Sequence, residues 1–220
     1  MREANPEPRA EHSSWTFSIR RLLARNLPLK NLLPDRQPVF VGSWVYIFGV
    51  VAIAGLIWIV ASGVVLDFFG PQWWHESSVG RFVNSVHLWS VQVFFVFMVL
   101  HLWGQYFMAG WRDGRAPTWM VGVVIFAFSI VTAFTGFISQ QNFDGEWIAV
   151  NAKDATNAAG IGSFFNVLNF GQMYGLHIVL LPLLVVSLLG VHIVLVRMRG
   201  VVRPLGHQPA ARSSSEERPS

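Results

Sequence analysis

The stretch HLWSVQVFFVFMVLHLW, residues 87–103, gives the strongest indication of the fold. It is apolar enough to cross a membrane and yet contains two histidines. An imidazole in hydrocarbon is costly unless something binds it, so His87 and His101 need partners. Fourteen α-helical residues advance about 21 Å and turn about 1400°, which is about 40° short of four turns. The two rings therefore share one helix face, with one ring near each end of the span.

A second stretch, LHIVLLPLLVVSLLGVH at 176–192, repeats the pattern with His177 and His192. Fifteen residues turn about 60° past four turns, so this pair also shares a face. With one span between them the two stretches run in the same direction, which places His87 opposite His177 and His101 opposite His192. Two haems would satisfy all four imidazoles. A single membrane histidine can instead hydrogen-bond to a neighbouring helix, and zinc fits poorly because it takes about four ligands in one place.

The composition places both stretches in an integral membrane protein. Of 220 residues, 53% are hydrophobic and 13% charged, and the mean hydropathy is +0.45, which is too apolar for an ordinary soluble domain. The absence of cysteine excludes disulfides, iron–sulfur ligation and covalent c-type haem attachment by this chain. Four apolar segments of about 20 residues predict four spans, at about 44–66, 82–108, 119–139 and 173–196.

The predicted fold is all-α, a four-helix haem-binding membrane bundle with an amphipathic surface helix before it. We divide the chain into a cytoplasmic arm at 1–40, a four-span di-haem domain at 41–200 and a disordered cytoplasmic tail at 201–220. The surface helix is placed at 14–27, where a short basic linker is the alternative. Only Arg81 and Lys153, of 16 basic residues, lie on the side away from the termini. This asymmetry predicts a bacterial plasma membrane protein with both termini cytoplasmic.

Glycines repeat at the histidine spacing in the first and third spans. Gly49 and Gly63 are fourteen residues apart, and so are Gly122 and Gly136. A glycine lets a flat macrocycle approach the helix backbone closely, so we predict that all four contact the haems. Small-residue helix packing is the alternative explanation. The Gly/Asn/Ala-rich stretch at 140–171 is predicted to be a long loop on the outer side.

The chain resembles the N-terminal domain of the cytochrome b family and is most similar to cytochrome b6, over about residues 30–206. The resemblance is carried by FGVVAIAGLIWIVASG, SVHLWS, APTWMVGVV, FTGF, MYGLHIVLLPLL and VHIVLVRMRGVVRPLG. It implies two bis-histidine b haems. The outer haem would be held by His87 and His177, and the inner haem by His101 and His192.

The resemblance also implies a function, that of the di-haem subunit of a cytochrome bc-type quinol oxidoreductase in a respiratory or photosynthetic chain. Such a subunit transfers electrons across the membrane between quinol or quinone and redox partners, and is not an enzyme by itself. The implied partners are a Rieske iron–sulfur protein, a small C-terminal cytochrome b subunit and a c-type cytochrome, in a homodimeric complex. Quinone is a further candidate ligand.

Several positions depart from the family pattern around the outer site. The family has arginines where this chain has Asn84 and Gly104, and Leu-Pro-Trp where this chain has SQQ at 139–141. We predict that Arg81 binds the outer haem's propionates in place of the first arginine, and that Arg197 binds those of the inner haem. The departures favour an alternative function, a haem-b electron conduit or anchor of a different oxidoreductase without an outer quinol-oxidation site. A membrane scaffold without redox function is the third hypothesis.

Two carboxylates, Asp144 and Glu146, are predicted to be the acidic groups nearest the outer haem. There they could move protons for a quinol. A solvated loop is the alternative for both.

Overall fold

The computed structural model describes residues 44–203, which are helical and contain no strand. The elements are α1 (Trp44–Phe69), α2 (Pro71–Glu76), α3 (Ser78–Phe107), α4 (Ala116–Ile138), α5 (Phe143–Ala158), α6 (Phe170–Gly175), a π-helical segment (Leu176–Leu180) and α7 (Leu181–Arg199). The predicted all-α fold is confirmed over this range. The arm at 1–40, its predicted surface helix at 14–27 and the tail beyond 203 lie outside the described residues.

Four helices are long and apolar enough to cross a membrane, namely Val45–Phe69, Ser78–Phe107, Ala116–Ile138 and the continuous Phe170–Arg199. Several ends extend beyond the predicted spans and carry Asp67, Arg81 and Arg197. The difference arises because caps, and not the apolar run, end a helix. Gly70, with φ of 78°, ends α1, and the Ser77 side chain begins α3 by accepting a hydrogen bond from the Gly80 N–H at 3.2 Å.

The four long helices pack mainly as two pairs, α1 against α3 and α4 against α7. The pairs share an apolar core whose buried members are Ala52, Phe94, Met98, Ile125 and Val185. Phe94 lies midway between His87 and His101 in sequence, and Val185 lies near the midpoint between His177 and His192. The core therefore forms an apolar layer between two histidine levels, which we call the His87 end and the His101 end.

The segment at 140–171 is not the predicted loop, because half of it is the helix α5. The Asn142 side chain accepts a hydrogen bond from the Gly145 N–H at 2.9 Å and so caps the first turn. Asp144 and Glu146 then lie in that turn, where negative charge is favourable. Below α5 a second apolar cluster contains Ile138, Ala149, Val167 and Met173. This cluster fixes the segment over the His87 end of the bundle.

Candidate functional site

His87 and His177 face each other across the bundle, from α3 and the π-helical segment. Their ring centroids lie 6.2 Å apart and the rings are nearly perpendicular, at 83°. A metal bonded to both rings at about 2 Å, a common imidazole–metal bond length, would hold the centroids about 6 Å apart. The spacing therefore suits one metal ion between the two rings.

The Nδ1 atoms of both rings are held by polar groups of neighbouring helices. His87 Nδ1 lies 3.1 Å from the Ile59 carbonyl and 3.1 Å from Ser62 Oγ, and His177 Nδ1 lies 2.9 Å from the Thr132 carbonyl. An Nδ1–H that donates to a carbonyl fixes the tautomer whose Nε2 carries the lone pair for a metal. Neither Nε2 atom has a hydrogen-bond partner among residues 44–203. Both Nε2 atoms are thus available to a metal.

A cavity of about 180 Å³ lies beside these two rings. Apolar side chains and Gly63 and Gly136 form most of its wall, and Trp74, Gln140 and Tyr174 lie among its polar lining. Within the described range no group of three or more His, Cys, Asp or Glu side chains is placed to hold a metal. Two axial nitrogens without further protein ligands fit a metal that brings its own equatorial ligands, as the iron of a porphyrin does.

At the opposite end of the bundle, His101 and His192 are close enough to interact electrostatically. The His101 Nδ1 atom is buried and has no hydrogen-bond partner among residues 44–203, whereas the His192 ring lies beside the backbone of Thr118. Three other buried side-chain atoms at the start of α4 also lack a hydrogen-bond partner in the described part of the chain, namely Arg115 Nε, Thr118 Oγ1 and Trp119 Nε1. The His101 end therefore contains a second pair of imidazoles and a set of polar groups without partners.

All four predicted glycines lie directly against the imidazoles. A Cβ built on Gly49, Gly63 or Gly122 would lie 3.1, 3.3 or 3.2 Å from the ring of His101, His87 or His192, respectively. A Cβ on Gly136 would collide with the His177 ring. The glycines make room for the imidazoles, and the predicted contact of these four glycines with the haems stays a prediction. The fourteen-residue glycine repeat matches the histidine repeat because each glycine faces one ring.

The π-helical segment Leu176–Leu180 changes the geometry expected for His177 and His192. Here the Leu181 N–H donates to the Leu176 carbonyl, five residues back, so the segment holds one more residue than an α-helical turn. Pro182 follows at once, and its ring would clash with a carbonyl four residues earlier in a regular α-helix. The extra residue compensates for the longer separation of His177 and His192, which is fifteen residues, whereas His87 and His101 are fourteen residues apart. His177 and His192 therefore have the α-helical register of a fourteen-residue pair.

Arg81, the propionate partner predicted for the outer haem, does not line the cavity at the His87 end. Arg81 is exposed, and its Nη1 donates to the carbonyls of His75 and Glu76 at 3.0 and 3.2 Å. Arg197 is also exposed. Asn84, which replaces the family's arginine, exchanges hydrogen bonds with Gln140 at 2.9 and 3.3 Å. The His87 end therefore has a satisfied amide pair where a cation was expected.

The carboxylate that lines the cavity is Asp67, not Asp144 or Glu146. Asp67 accepts a hydrogen bond from the Tyr174 hydroxyl at 3.0 Å. Asp144 and Glu146 lie exposed on α5, as in the alternative interpretation of both as solvated residues. Sequence reasoning missed Asp67 because the predicted span ended one residue before it.

Comparison with known proteins finds a family profile and several relatives that match this chain. The profile of the family described as Cytochrome b(N-terminal)/b6/petB matches residues 92–216, more than half of the chain. The chain is 26% identical over 206 residues to cytochrome b6 of Pyropia yezoensis, covering 81% of this chain and 95% of that protein. It is 28% identical over 145 residues to the cytochrome bc complex cytochrome b subunit of Chlorobaculum thiosulfatiphilum, covering 61% of this chain.

A solved structure described as a hyperthermophilic respiratory Complex III shares the fold. Its chain superposes with a TM-score of 0.70 at 18% identity, covering 90% of this chain and 57% of that one. The match to the Chlorobaculum protein covers only 34% of that protein's length. The matched region thus spans almost the whole of the Pyropia protein and about a third of the Chlorobaculum protein.

Proposed function

Because the chain belongs to the cytochrome b(N-terminal)/b6 family, we propose that it is a membrane subunit holding two b haems, one at each histidine pair. The observation that carries this proposal is the pair His87–His177, with centroids 6.2 Å apart and both Nδ1 atoms engaged by carbonyls. His101 and His192 serve the second haem. Bis-histidine haem supplies one-electron transfer without an open coordination site. The chain's own part is to orient four imidazoles and to keep the space between the two levels apolar.

The direction of the chain in the membrane follows from its basic residues. Arg112, Arg115, Arg197, Arg199 and Arg203 all lie at the His101 end. By the positive-inside rule this end faces the cytoplasm of a bacterial plasma membrane, with both termini on that side. We keep the division into an arm at 1–40, a haem domain at 41–200 and a tail at 201–220 as part of the proposal.

The subunit would work in a cytochrome bc-type complex, passing electrons between quinol or quinone and other redox proteins. The names of two relatives, cytochrome b6 and the cytochrome b subunit of a bc complex, support this assignment. The proposed partners are a Rieske iron–sulfur protein, a C-terminal cytochrome b subunit, a c-type cytochrome and a second copy of the chain.

One observation favours the alternative function, a haem-b conduit or anchor in another oxidoreductase. At the His87 end, Asn84 and Gln140 satisfy each other, and Gln140 lines the cavity. A side-chain pair already satisfied has less to offer a quinol or a propionate. In this alternative the residues at the His87 end would hold a haem but would not form a quinol-oxidation site.

The haem proposal predicts two haems per chain. The full chain, purified from membranes, should show a b-type spectrum after dithionite reduction, and haem extraction should give about two haems per polypeptide. Low-spin signals in electron paramagnetic resonance should report bis-histidine iron. A single haem, or a five-coordinate high-spin signal as the main species, would contradict the proposal.

Reduction of the haems by a quinol distinguishes the two proposed functions. The complex purified with its native partners is mixed with a short-chain quinol, with and without an inhibitor of the inner quinone site. Haem reduction that persists with the inhibitor supports a working outer site. If the haems are reduced only without the inhibitor, the conduit function is favoured.

The π-helical segment predicts that a one-residue deletion and a one-residue insertion between His177 and His192 have different effects on haem content. Deleting Val179, whose side chain is 61% exposed, together with Pro182→Ala, which removes the proline ring that a regular α-helix would not accommodate, places His192 fourteen positions after His177 and should retain both haems in a regular α-helix. Inserting an alanine after Ser187 turns one ring by about 100° relative to the other and should remove one haem. Haem content per chain measures both. Loss of a haem in the deletion variant would show that the π-helical register is itself required.

A further inference from the structure

The cavity at the His87 end has a carboxylate in its wall that the proposed haem ligation does not use. Asp67, on the last turn of α1, lines the same cavity as His87 and His177. Its Oδ1 accepts a hydrogen bond of 3.0 Å from the Tyr174 hydroxyl. No Lys or Arg side chain of residues 44–203 forms an ion pair with it. The C-terminal end of a helix is itself negative, so Asp67 holds a charge that nothing in the described chain compensates.

Asp67 and Tyr174 lie about one helical turn from the proposed haem ligands. Asp67 follows Gly63 by four residues, and a Cβ on Gly63 would lie 3.3 Å from the His87 ring. Tyr174 precedes His177 by three residues. Both separations return a side chain to the same helix face, after about 6 Å and about 4.5 Å along the axis. The hydrogen-bonded pair therefore lies beyond both imidazoles, toward the end of the bundle.

Other titratable groups near the end of α1 do not share this position. α2 and α3 pack against α1, and their nearby titratable side chains do not line the cavity, namely His75, Glu76 and Arg81. His75 contacts the Gln140 carbonyl, and backbone carbonyls bind the Arg81 guanidinium. The titratable residues that line the cavity, among those described, are Asp67, Tyr174, His87 and His177.

Asp67 is the proton acceptor that remains beside the cavity. In the proposed function both imidazoles bind iron, and the Tyr174 hydroxyl already donates to Asp67. The Asp67 side chain is also exposed, and α1 ends two residues after it. It therefore contacts both the cavity and the water at that end of the span.

We propose that Asp67 takes up a proton from this water when the haem at the His87 end is reduced, and releases it when that haem is oxidised. The inference rests on the proposed di-haem function. One electron from a redox partner adds a negative charge to the cavity, and like charges at close range in a medium of low dielectric repel strongly. The proton forms the O–H bond of a neutral carboxylic acid and so removes this repulsion. It returns to water when the electron leaves.

The test is a redox titration of the full chain with both haems, repeated over a range of pH. One proton taken up with one electron changes the reduction equilibrium tenfold per pH unit, which corresponds to about 59 mV. The haem that is lost in His87→Ala should therefore fall in potential by up to about 59 mV per unit as the pH rises. Asp67→Asn is neutral at every pH and should keep this haem at its low-pH potential, without a slope.

Infrared difference spectra give a second measurement that does not depend on the potential. The spectrum of the reduced minus the oxidised protein should contain the carbonyl band of a carboxylic acid, because Asp67 becomes protonated. This band should be absent in Asp67→Asn.

Asp144→Asn is the matched control. It removes an exposed carboxylate from α5, over the same end of the bundle, and Asp144 does not line the cavity. This variant should keep both the slope and the infrared band. Tyr174→Phe removes a hydrogen bond that favours the ionised carboxylate. It should therefore move the sloping part of the curve to higher pH.

Three results would overturn the proposal: a slope that persists in Asp67→Asn, a slope that Asp144→Asn removes equally, or two wild-type haems whose potentials do not depend on pH. If Asp67→Asn does not accumulate, an unmoved curve in Tyr174→Phe has the same consequence. Failure of the wild-type chain to bind two haems would instead overturn the proposed function.

Discussion

His101→Ala should lower the haem content from two per chain to one. The substitution removes one axial ligand at the His101 end, and His192 alone cannot form a bis-histidine site. The other pair lies fourteen helical residues away, about 21 Å, beyond the apolar layer of Phe94 and Val185. The remaining haem should therefore keep the spectrum and potential of the His87 end. Haem extraction and a redox titration that resolves the two centres measure the result.

Two further variants complete this experiment. His87→Ala should give the reciprocal result, with one haem and the potential of the His101 end. His75→Ala is the control, because this histidine lies outside the pairs and contacts the Gln140 carbonyl at 3.0 Å. It should retain both haems. If His101→Ala and His87→Ala leave haems of the same potential, the assignment of pairs is wrong.

Gly136→Ala should damage the His87 end more than an alanine at any other glycine facing a histidine. Its Cβ would meet Cε1, Nδ1 and Nε2 of His177, and that ring is also held by the Thr132 carbonyl at 2.9 Å. The ring must then leave either the hydrogen bond or the ligand position. We expect loss of one haem, or a high-spin signal from half of the iron. The same change at Gly49 or Gly122, where the contact is 3.1 or 3.2 Å, should act more weakly.

Gly190→Ala provides the matched control on α7. A Cβ at Gly190 meets nothing within 4 Å, so both haems should remain. Alanine is also the better helix former by about 1 kcal/mol, so thermal unfolding should shift upward and not downward. Equal haem loss in Gly136→Ala and Gly190→Ala would mean that the glycines serve helix packing and not the imidazoles.

Much of the site could be read from periodicity, because helix geometry converts sequence spacing into position. His87 and His101, and the glycines at 49, 63, 122 and 136, lie at one repeat, and a straight α-helix brings such residues to one face. The membrane spans could also be predicted, since a membrane helix must be apolar over about 20 residues. The helix at 143–158 was missed because its apolar pattern is weak and its Asn142 cap resembles a loop residue.

Other features depend on contacts between different segments, which the spacing of residues along the chain does not predict. Asp67 lines the cavity because α1 continues one turn beyond its apolar run. The Arg81 guanidinium is bound instead by the carbonyls of His75 and Glu76 at the end of α2. Arg115 was not predicted, since a basic residue before a span usually faces water. Its burial depends on how α4 meets the neighbouring helices.

Four helical spans and two levels of histidines could be predicted without coordinates, because hydropathy and helical rotation are local properties of a chain. How the levels are completed depends on the packing of the helices. The π-helical segment before Pro182 brings a fifteen-residue spacing into the fourteen-residue register. Close packing of α1 on α3 makes position 104 tight, with Val45 Cγ1 3.1 Å from where a Cβ would lie, and packing around the start of α4 buries Arg115. These outcomes depend on which helices touch, and that is settled by packing between distant segments.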